Sequence, residues 1–151
     1  MDKLARAGNP EAIAFPRGLL DRDILDFSFS GMKTAAAQYI KKQVPEKLDA
    51  MINDIAASFQ EAVVDVLVKK TIKAAMEKNV STVVISGGVA CNSRLREKMK
   101  EEGDNKGVEV FFPSPILCSD NAAMIAALGH YYINKKKEND LSMNAVARWQ
   151  I

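Results

Sequence analysis

The sequence predicts a single α/β domain, and three segments carry that prediction. Residues 83–86 are β-prone and mostly apolar, and two glycines and a helical segment follow them. A second β-prone run covers residues 107–112, after a helix that should end near Gly103. Residues 46–78 repeat apolar side chains at helical spacing. The order helix, strand, helix, strand favours neighbouring parallel strands that a right-handed crossover connects.

The composition is that of a globular protein with a substantial core. The 151 residues are 48% hydrophobic and 26% charged, which suits one soluble domain. The 21 basic and 19 acidic residues nearly balance, so composition alone does not indicate nucleic-acid binding. Cys91 and Cys118 form no Cys-x-x-Cys pair, which favours a reduced protein without a structural zinc site. No signal sequence or apolar run of about 20 residues is visible, so we expect a cytoplasmic protein that does not enter a membrane.

The N-terminal half is expected to be mainly helical. Residues 1–26 show short helical patterns and no strand, as in the middle of a domain. Residues 26–30 alternate polar and aromatic side chains, which indicates a short strand or an extended segment. A helix over residues 32–42 should use Ser30 as its N-cap and end before Pro45. Five charged residues of the long helix lie off its apolar stripe and should face solvent: Asp54, Glu61, Asp65, Lys69 and Lys73.

The C-terminal part should consist of a helix and a tail. Residues 120–129 are rich in alanine, which permits close packing against another element or a ligand. The lysines at 135–137 should complement the dipole of that helix, and a phosphate-binding patch is the alternative. Residues 140–151 form the tail, which Trp149 should pack against the domain.

Two loops are candidates for a binding site, because open α/β sheets bind ligands beyond the carboxyl ends of their strands. In the first loop, residues 87–93, Gly87 and Gly88 either bring main chain close to a nucleotide or make a plain tight turn. Asn92 either caps the next helix or bonds a base or ribose. In the second, residues 113–121, Asp120 is either an N-cap or a ligand of a divalent cation, although one carboxylate is too few to hold a metal.

The sequence assigns no catalytic residue. It contains no phosphate-binding P-loop, no His-Glu-x-x-His helix and no Gly-x-Ser-x-Gly elbow. Cys91 has no histidine near it in sequence to act as base, so a small buried packing residue is expected there. His130 should lie at the surface or at a helix end, since ten helical residues place it roughly 15 Å from Asp120.

Several motifs in a fixed order resemble one family. The chain is similar to the C-terminal half of the tRNA N(6)-adenosine threonylcarbamoyltransferases, bacterial TsaD, a family formerly labelled O-sialoglycoprotein endopeptidases. The motifs that carry the resemblance are DKLA at 2–5, FPR at 15–17, DFSFSGMKT at 26–34, AASFQE at 56–61, SGGVACNSRLR at 86–96, FPSP at 112–115, SDNAAMI at 119–125 and ARW at 147–149.

The resemblance implies a fold and a set of site residues. The fold is the second lobe of an actin-like or Hsp70-like ATPase, a ribonuclease H-like fold with a mixed sheet and flanking helices. Residues 1–151 would form this C-terminal lobe, and the first lobe would be absent from the chain. Gly87, Gly88 and Asn92 match nucleoside contacts, and Asp2 matches an aspartate on the ribose side. Asp120 matches a metal-binding aspartate that joins two histidines of a His-x-x-x-His motif in the first lobe.

The implied reaction is transfer of a threonylcarbamoyl group from threonylcarbamoyl adenylate to the exocyclic amine of a tRNA adenosine beside the anticodon. The cofactor would be one divalent metal, iron or zinc, and the partners would be tRNA and the accessory proteins TsaB and TsaE. We expect the chain alone to be inactive and to self-associate through surface that the first lobe would cover. The alternatives are an ATP-binding lobe of an actin-like ATPase or sugar kinase and, less favoured, a metal-dependent glycoprotein endopeptidase.

Overall fold

A computed structural model describes residues 1–20, 22–135 and 144. The described part contains five α-helices and two β-strands: α1 (Asp2–Ala5), α2 (Ser30–Lys41), α3 (Pro45–Glu77), β1 (Thr82–Val84), α4 (Ser93–Lys106), β2 (Glu109–Phe111) and α5 (Ala122–Asn134). Two short 3-10 turns, Gly88–Cys91 and Pro115–Leu117, follow the strands. This order confirms the predicted α/β class, although the protein is mostly helical.

The 33-residue helix α3 is the centre of the fold. On one side, Val64, Val68 and Ile72 pack with residues of α4 and with the inner face of the sheet. On another side, Ile55 and Val66 pack against α2 and the segment before it. The long helix predicted over residues 46–78 is therefore confirmed, and it begins at a proline, which fits the first turn of a helix because its missing N–H has no helical partner there.

Strands β1 and β2 lie side by side and run parallel, as predicted, with Val83 opposite Val110. Both strands bury only one face, because Val83 and Val110 contact the core while Val84 is 69% exposed and Phe111 47% exposed. The strand that the sequence predicted as buried, at residues 83–86, is therefore buried on one face and exposed on the other. The predicted mixed sheet is also not seen, since the residues that the structure describes form a two-stranded parallel sheet.

Three predicted boundaries differ from the structure. Residues 26–29 carry no regular secondary structure, so the strand alternative is not seen, and Ser30 is not the N-cap but the first residue of α2, whose N-cap is Phe29. Helix α4 does not stop near Gly103 but continues to Lys106, and Gly107 ends it in the left-handed conformation with φ of 69°. Gly103 instead packs under β2, where an added Cβ would lie 2.6 Å from the Val108 carbonyl oxygen.

The prediction that five charged residues of α3 face solvent is wrong for Glu61 and Asp65, whose side chains are 14% and 11% exposed. It holds for Lys69, which is exposed, and in part for Asp54 and Lys73, which are partly exposed. Asp54 accepts a hydrogen bond from the Asn9 N–H at 2.7 Å, and Lys73 pairs with Asp23. Glu61 faces helix α4 and forms an ion pair with Arg94, and Asp65 forms one with Arg17 of the N-terminal segment. Sequence periodicity did not reveal these ion pairs.

Helix α5 differs from the others because none of its residues is buried. Its exposed side chains include Ile125 at 72% and Ile133 at 74%. The predictions for Trp149 and for lysines 136 and 137 lie outside the described residues. None of the helices that the structure describes combines the length and the apolar character needed to cross a bilayer.

Candidate functional site

The parallel sheet brings the two candidate loops to one edge. The Ile85 N–H donates to the Phe111 carbonyl oxygen at 3.0 Å, just before each loop begins. Because both strands point the same way, the loop of residues 87–93 and the loop of residues 113–121 leave the sheet together. We call these the glycine loop and the aspartate loop.

The glycine loop contains an open turn. Gly87 has φ of 92°, a conformation that L side chains rarely adopt, so glycine is required there. A Cβ added at Gly87 or Gly88 would meet no atom within 4 Å, and both residues are exposed. The predicted helix does not follow at once, because the 3-10 turn Gly88–Cys91 comes before α4. The turn therefore presents bare main chain that a flat ligand can approach.

Asn92 is the N-cap of α4, which confirms the capping alternative. Its Oδ1 accepts a hydrogen bond from the Leu95 N–H at 2.9 Å, and its Nδ2 donates to Gln60 Oε1 at 2.7 Å. An asparagine amide carries two hydrogens and two acceptor lone pairs. The two observed bonds use one of each, so capping does not prevent the side chain from also contacting a ligand.

Asp2 lies beside the start of α4. Ser93 Oγ donates to Asp2 Oδ1 at 2.7 Å, and Arg6 pairs with the other carboxylate oxygen at 3.0 Å. Desolvation raises the pKa of Asp2, but the hydrogen bonds from Ser93 and Arg6 outweigh it and hold the pKa below its ordinary value. The fold thus brings the sequence-predicted Asp2 next to the helix that Asn92 caps, with its charge already compensated by Arg6.

Arg96 ties the two loops together, and sequence reasoning gave it no role. Its Nε donates to the Ala90 carbonyl oxygen at 2.5 Å, and its Nη2 donates to the Pro113 carbonyl oxygen at 2.7 Å. The guanidinium carbon lies 4.8 Å from the centre of the Phe112 ring. Arg96 follows Asn92 by four residues, so it lies on the same face of α4 one turn later. The four-residue spacing from Asn92 was the feature of the sequence that could have indicated a role for Arg96 at this site.

Both cysteines belong to this edge of the sheet. Cys91 is exposed, so the prediction of a buried packing residue is wrong for it, whereas Cys118 is buried. Desolvation and then the hydrogen bond with Cys118 raise the pKa of the Cys91 thiol. That Cys91 is not a catalytic nucleophile stays a prediction.

Asp120 directly precedes α5 and does not cap it. Asn121 is the N-cap, and its Oδ1 accepts from the Met124 N–H at 3.2 Å. The exposed Asp120 carboxylate makes no hydrogen bond or ion pair with the described residues, and these contain no group of three side chains suited to a metal. One carboxylate does not fit a tight metal site by itself. His130, as predicted, is exposed, and it pairs with Asn134 near the end of the helix.

A network of ion pairs joins helix α3 to the first turns of α4. Glu61 accepts from Arg94 Nε at 2.7 Å and from Lys98 Nζ at 2.6 Å, and Asp65 accepts from Lys98 and Arg17. The Arg94 hydrogen bond is the main reason that the pKa of Glu61 falls to about 2. A cavity of about 490 Å³ lies over this network, but each of its charged lining residues is already in an ion pair and it does not include the glycine turn.

Comparison with known proteins gives one consistent result. The family model for tRNA N6-adenosine threonylcarbamoyltransferase matches residues 1–127. Curated proteins of that name are similar over the chain: one from Syntrophotalea carbinolica is 48% identical over 151 residues, and one from Geobacter sulfurreducens is 49% identical over 152 residues. Each alignment covers 100% of this chain and 44% of the relative.

A third relative gives a similar figure. The protein of the same name from Clostridium beijerinckii is 46% identical over 145 residues, which is 96% of this chain and 43% of the relative. The chain therefore spans less than half the length of the curated relatives that it matches.

Proposed function

This chain belongs to the tRNA N6-adenosine threonylcarbamoyltransferase family, and we propose that it supplies the nucleoside-binding wall of an enzyme that transfers threonylcarbamoyl to tRNA. The donor would be threonylcarbamoyl adenylate, and the acceptor would be the exocyclic amine of an adenosine beside the anticodon. The observation that supports this most directly is the pair of loops at one sheet edge, joined by Arg96, with the bare glycine turn at its centre.

We assign the binding roles as follows. The exposed main chain of Gly87 and Gly88 lies against the nucleoside of the donor, and the remaining amide groups of Asn92 hydrogen-bond to it. Asp2 stands on the ribose side, held by Ser93 and Arg6. Asp120 is the single ligand that this chain contributes to one divalent metal, iron or zinc. The other ligands would come from the part of the relatives outside the matched region.

The chemistry needs no covalent protein intermediate. The amine attacks the carbonyl carbon of the threonylcarbamoyl group, the bond to the adenylate oxygen breaks, AMP leaves with the bonding electrons and the amine nitrogen gives up one proton to solvent. What this chain contributes is position: a fixed donor in a near-attack geometry converts a bimolecular step into an effectively unimolecular one.

The chain alone is expected to be inactive, and tRNA, TsaB and TsaE are proposed partners of the whole protein. The test is a chimaera in which the N-terminal part of the Syntrophotalea relative is joined to this chain. It is supplied with the accessory proteins, threonylcarbamoyl adenylate and unmodified tRNA. Mass spectrometry of digested tRNA should show threonylcarbamoyladenosine. Asp120→Asn should reduce its formation at least ~100-fold, because the donor is no longer held in place.

The matched control is Asp104→Asn, which changes another exposed carboxylate, on α4, and should keep full activity. Circular dichroism of each variant checks that it is folded. An inactive chimaera beside an active Syntrophotalea parent would refute the proposal, and so would equal activity of the two aspartate variants.

A further inference from the structure

The two cysteine side chains meet at one short turn of the aspartate loop. Cys91 Sγ lies 3.4 Å from the Pro115 carbonyl oxygen. Cys118 Sγ lies 3.5 Å from the Ser114 carbonyl oxygen and 3.7 Å from that of Pro113. The two thiols therefore donate to consecutive carbonyl groups of the same turn, although they belong to different loops. The Cys118 side chain also interacts directly with the Cys91 thiol and contributes to its raised pKa.

The pair is arranged with one accessible and one protected sulfur. Cys91 is exposed, so a reagent in solution reaches it first, while Cys118 is 1% exposed. Arg96 Nη2 lies 3.3 Å from Cys118 Sγ and holds that sulfur in place, and Arg96 Nε binds the carbonyl group of Ala90, the residue before Cys91. The raised pKa of Cys91 slows the first oxidation step, but an accessible thiol with a second thiol beside it is the arrangement in which a sulfenic acid, once formed, condenses to a disulfide.

We propose that Cys91 and Cys118 form a dithiol modification site, which hydrogen peroxide converts to an intramolecular disulfide between the glycine loop and the aspartate loop. The Cys91 sulfur attacks one peroxide oxygen and the O–O bond breaks. One water molecule is released, and Cys91 becomes a sulfenic acid. The Cys118 sulfur then attacks the Cys91 sulfur, the S–O bond breaks and a second water leaves. The two sulfurs lose two electrons and two protons in total, and one peroxide becomes two waters.

The bond would fix the two loops to each other covalently at the point where Arg96 now joins them by hydrogen bonds. This inference depends only on the thiols and the turn, so it stands whether or not the proposed transferase function is correct.

The experiment treats the reduced, folded chain with one equivalent of hydrogen peroxide at low protein concentration and then blocks free thiols. Trypsin cleaves after Lys78, Arg94, Lys106 and Lys135, so the two cysteines fall in different peptides. We expect an intact mass lower by two hydrogen atoms, no blocked thiols, and one linked pair of peptides in the unreduced digest. A reductant should restore both peptides.

Two comparisons distinguish a disulfide that the fold favours from unspecific oxidation of two cysteines. In Cys91→Ser, which changes an exposed side chain, peroxide should yield no mass loss and no linked peptides. In glutathione redox buffers, the equilibrium constant for forming the bond should be at least about tenfold larger for the folded chain than in urea, which corresponds to about 30 mV. The proposal is overturned if the cysteines oxidise separately, if only disulfides between two chains form, or if folding does not raise the constant.

Discussion

At the scale of single residues, Glu61 carries the clearest electrostatic consequence. Its carboxylate is bound by Arg94 and Lys98 from α4, and its side chain is 14% exposed. We expect Glu61→Gln to lower the free energy of unfolding at pH 7 by about 1–3 kcal/mol, since it weakens hydrogen bonds to charged groups. Urea unfolding followed by circular dichroism measures the change.

The same residue predicts a pH dependence. The hydrogen bond from Arg94 is the main cause that lowers the pKa of Glu61 from 4.5 to about 2 in the folded protein. Its stabilising contribution is therefore complete above about pH 4.5 and is lost as the pH falls towards 2. The stability difference between wild type and Glu61→Gln should shrink over that interval. Glu101→Gln, which changes an exposed carboxylate, is the control. If the stability difference between wild type and Glu61→Gln stayed constant down to pH 2, the lowered pKa of Glu61 would be contradicted.

Residue roles were predictable where a local rule governs them. Asn92 directly before a helix suggested a cap, and the hydrogen bond to the Leu95 N–H confirms it. Glu61 and Asp65 were misassigned because periodicity reports which side of a helix is apolar, and their partners lie on α4, more than 30 residues later. Ion pairs between distant segments leave no spacing in the sequence. Asp2, Gly87, Gly88, Asn92 and Asp120 stay predictions as ligand contacts.

At the scale of elements, Gly103 sets how closely α4 approaches β2. Alanine normally stabilises a helix interior relative to glycine by about 1 kcal/mol. Here the added Cβ would lie 2.6 Å from the Val108 carbonyl oxygen, which is backbone and cannot move freely. We expect Gly103→Ala to destabilise the protein by about 1–3 kcal/mol, as overpacking does. Urea unfolding again gives the measurement.

Gly31 in α2 is the matched control, because a Cβ there meets no atom within 4 Å. Gly31→Ala should be neutral or slightly stabilising. If both variants shifted stability in the same direction by the same amount, close packing at Gly103 would not be the cause.

Elements were predicted well where the pattern was long. The 33-residue α3 and the parallel order of β1 and β2 followed from periodicity and from alternation of elements. The end of α4 was misplaced because a glycine inside a helix and a glycine that terminates one look alike in sequence. Gly103 packs against a strand, and Gly107 adopts the left-handed conformation; only the three-dimensional arrangement separates them.

At the scale of the whole molecule, helix α5 presents an apolar surface that the described residues do not cover. Ile125 and Ile133 are more than two-thirds exposed, and no residue of the helix is buried. A patch of this kind favours association in water. We expect the isolated chain to form dimers or larger species in analytical ultracentrifugation, and Ile125→Glu with Ile133→Glu to shift it towards monomer.

Met76 on α3 serves as the control, since it is 52% exposed but isolated from α5 in sequence. Met76→Glu should leave the association unchanged. A wild-type chain that sediments as a monomer at high concentration, or a Met76→Glu variant that dissociates as readily, would count against α5 as the surface responsible.

Arg96 has one more consequence for how this protein responds to ligands. Because one guanidinium donates to the main chain of both loops, a shift of either loop relative to the other strains or breaks a hydrogen bond to Arg96. Whatever orders the glycine turn therefore also restricts the segment that leads to Asp120. Thermodynamic linkage makes such an effect reciprocal: if a ligand at one loop tightens binding at the other by some factor, the second ligand tightens the first by the same factor. Shortening a single side chain at position 96 would uncouple the two affinities.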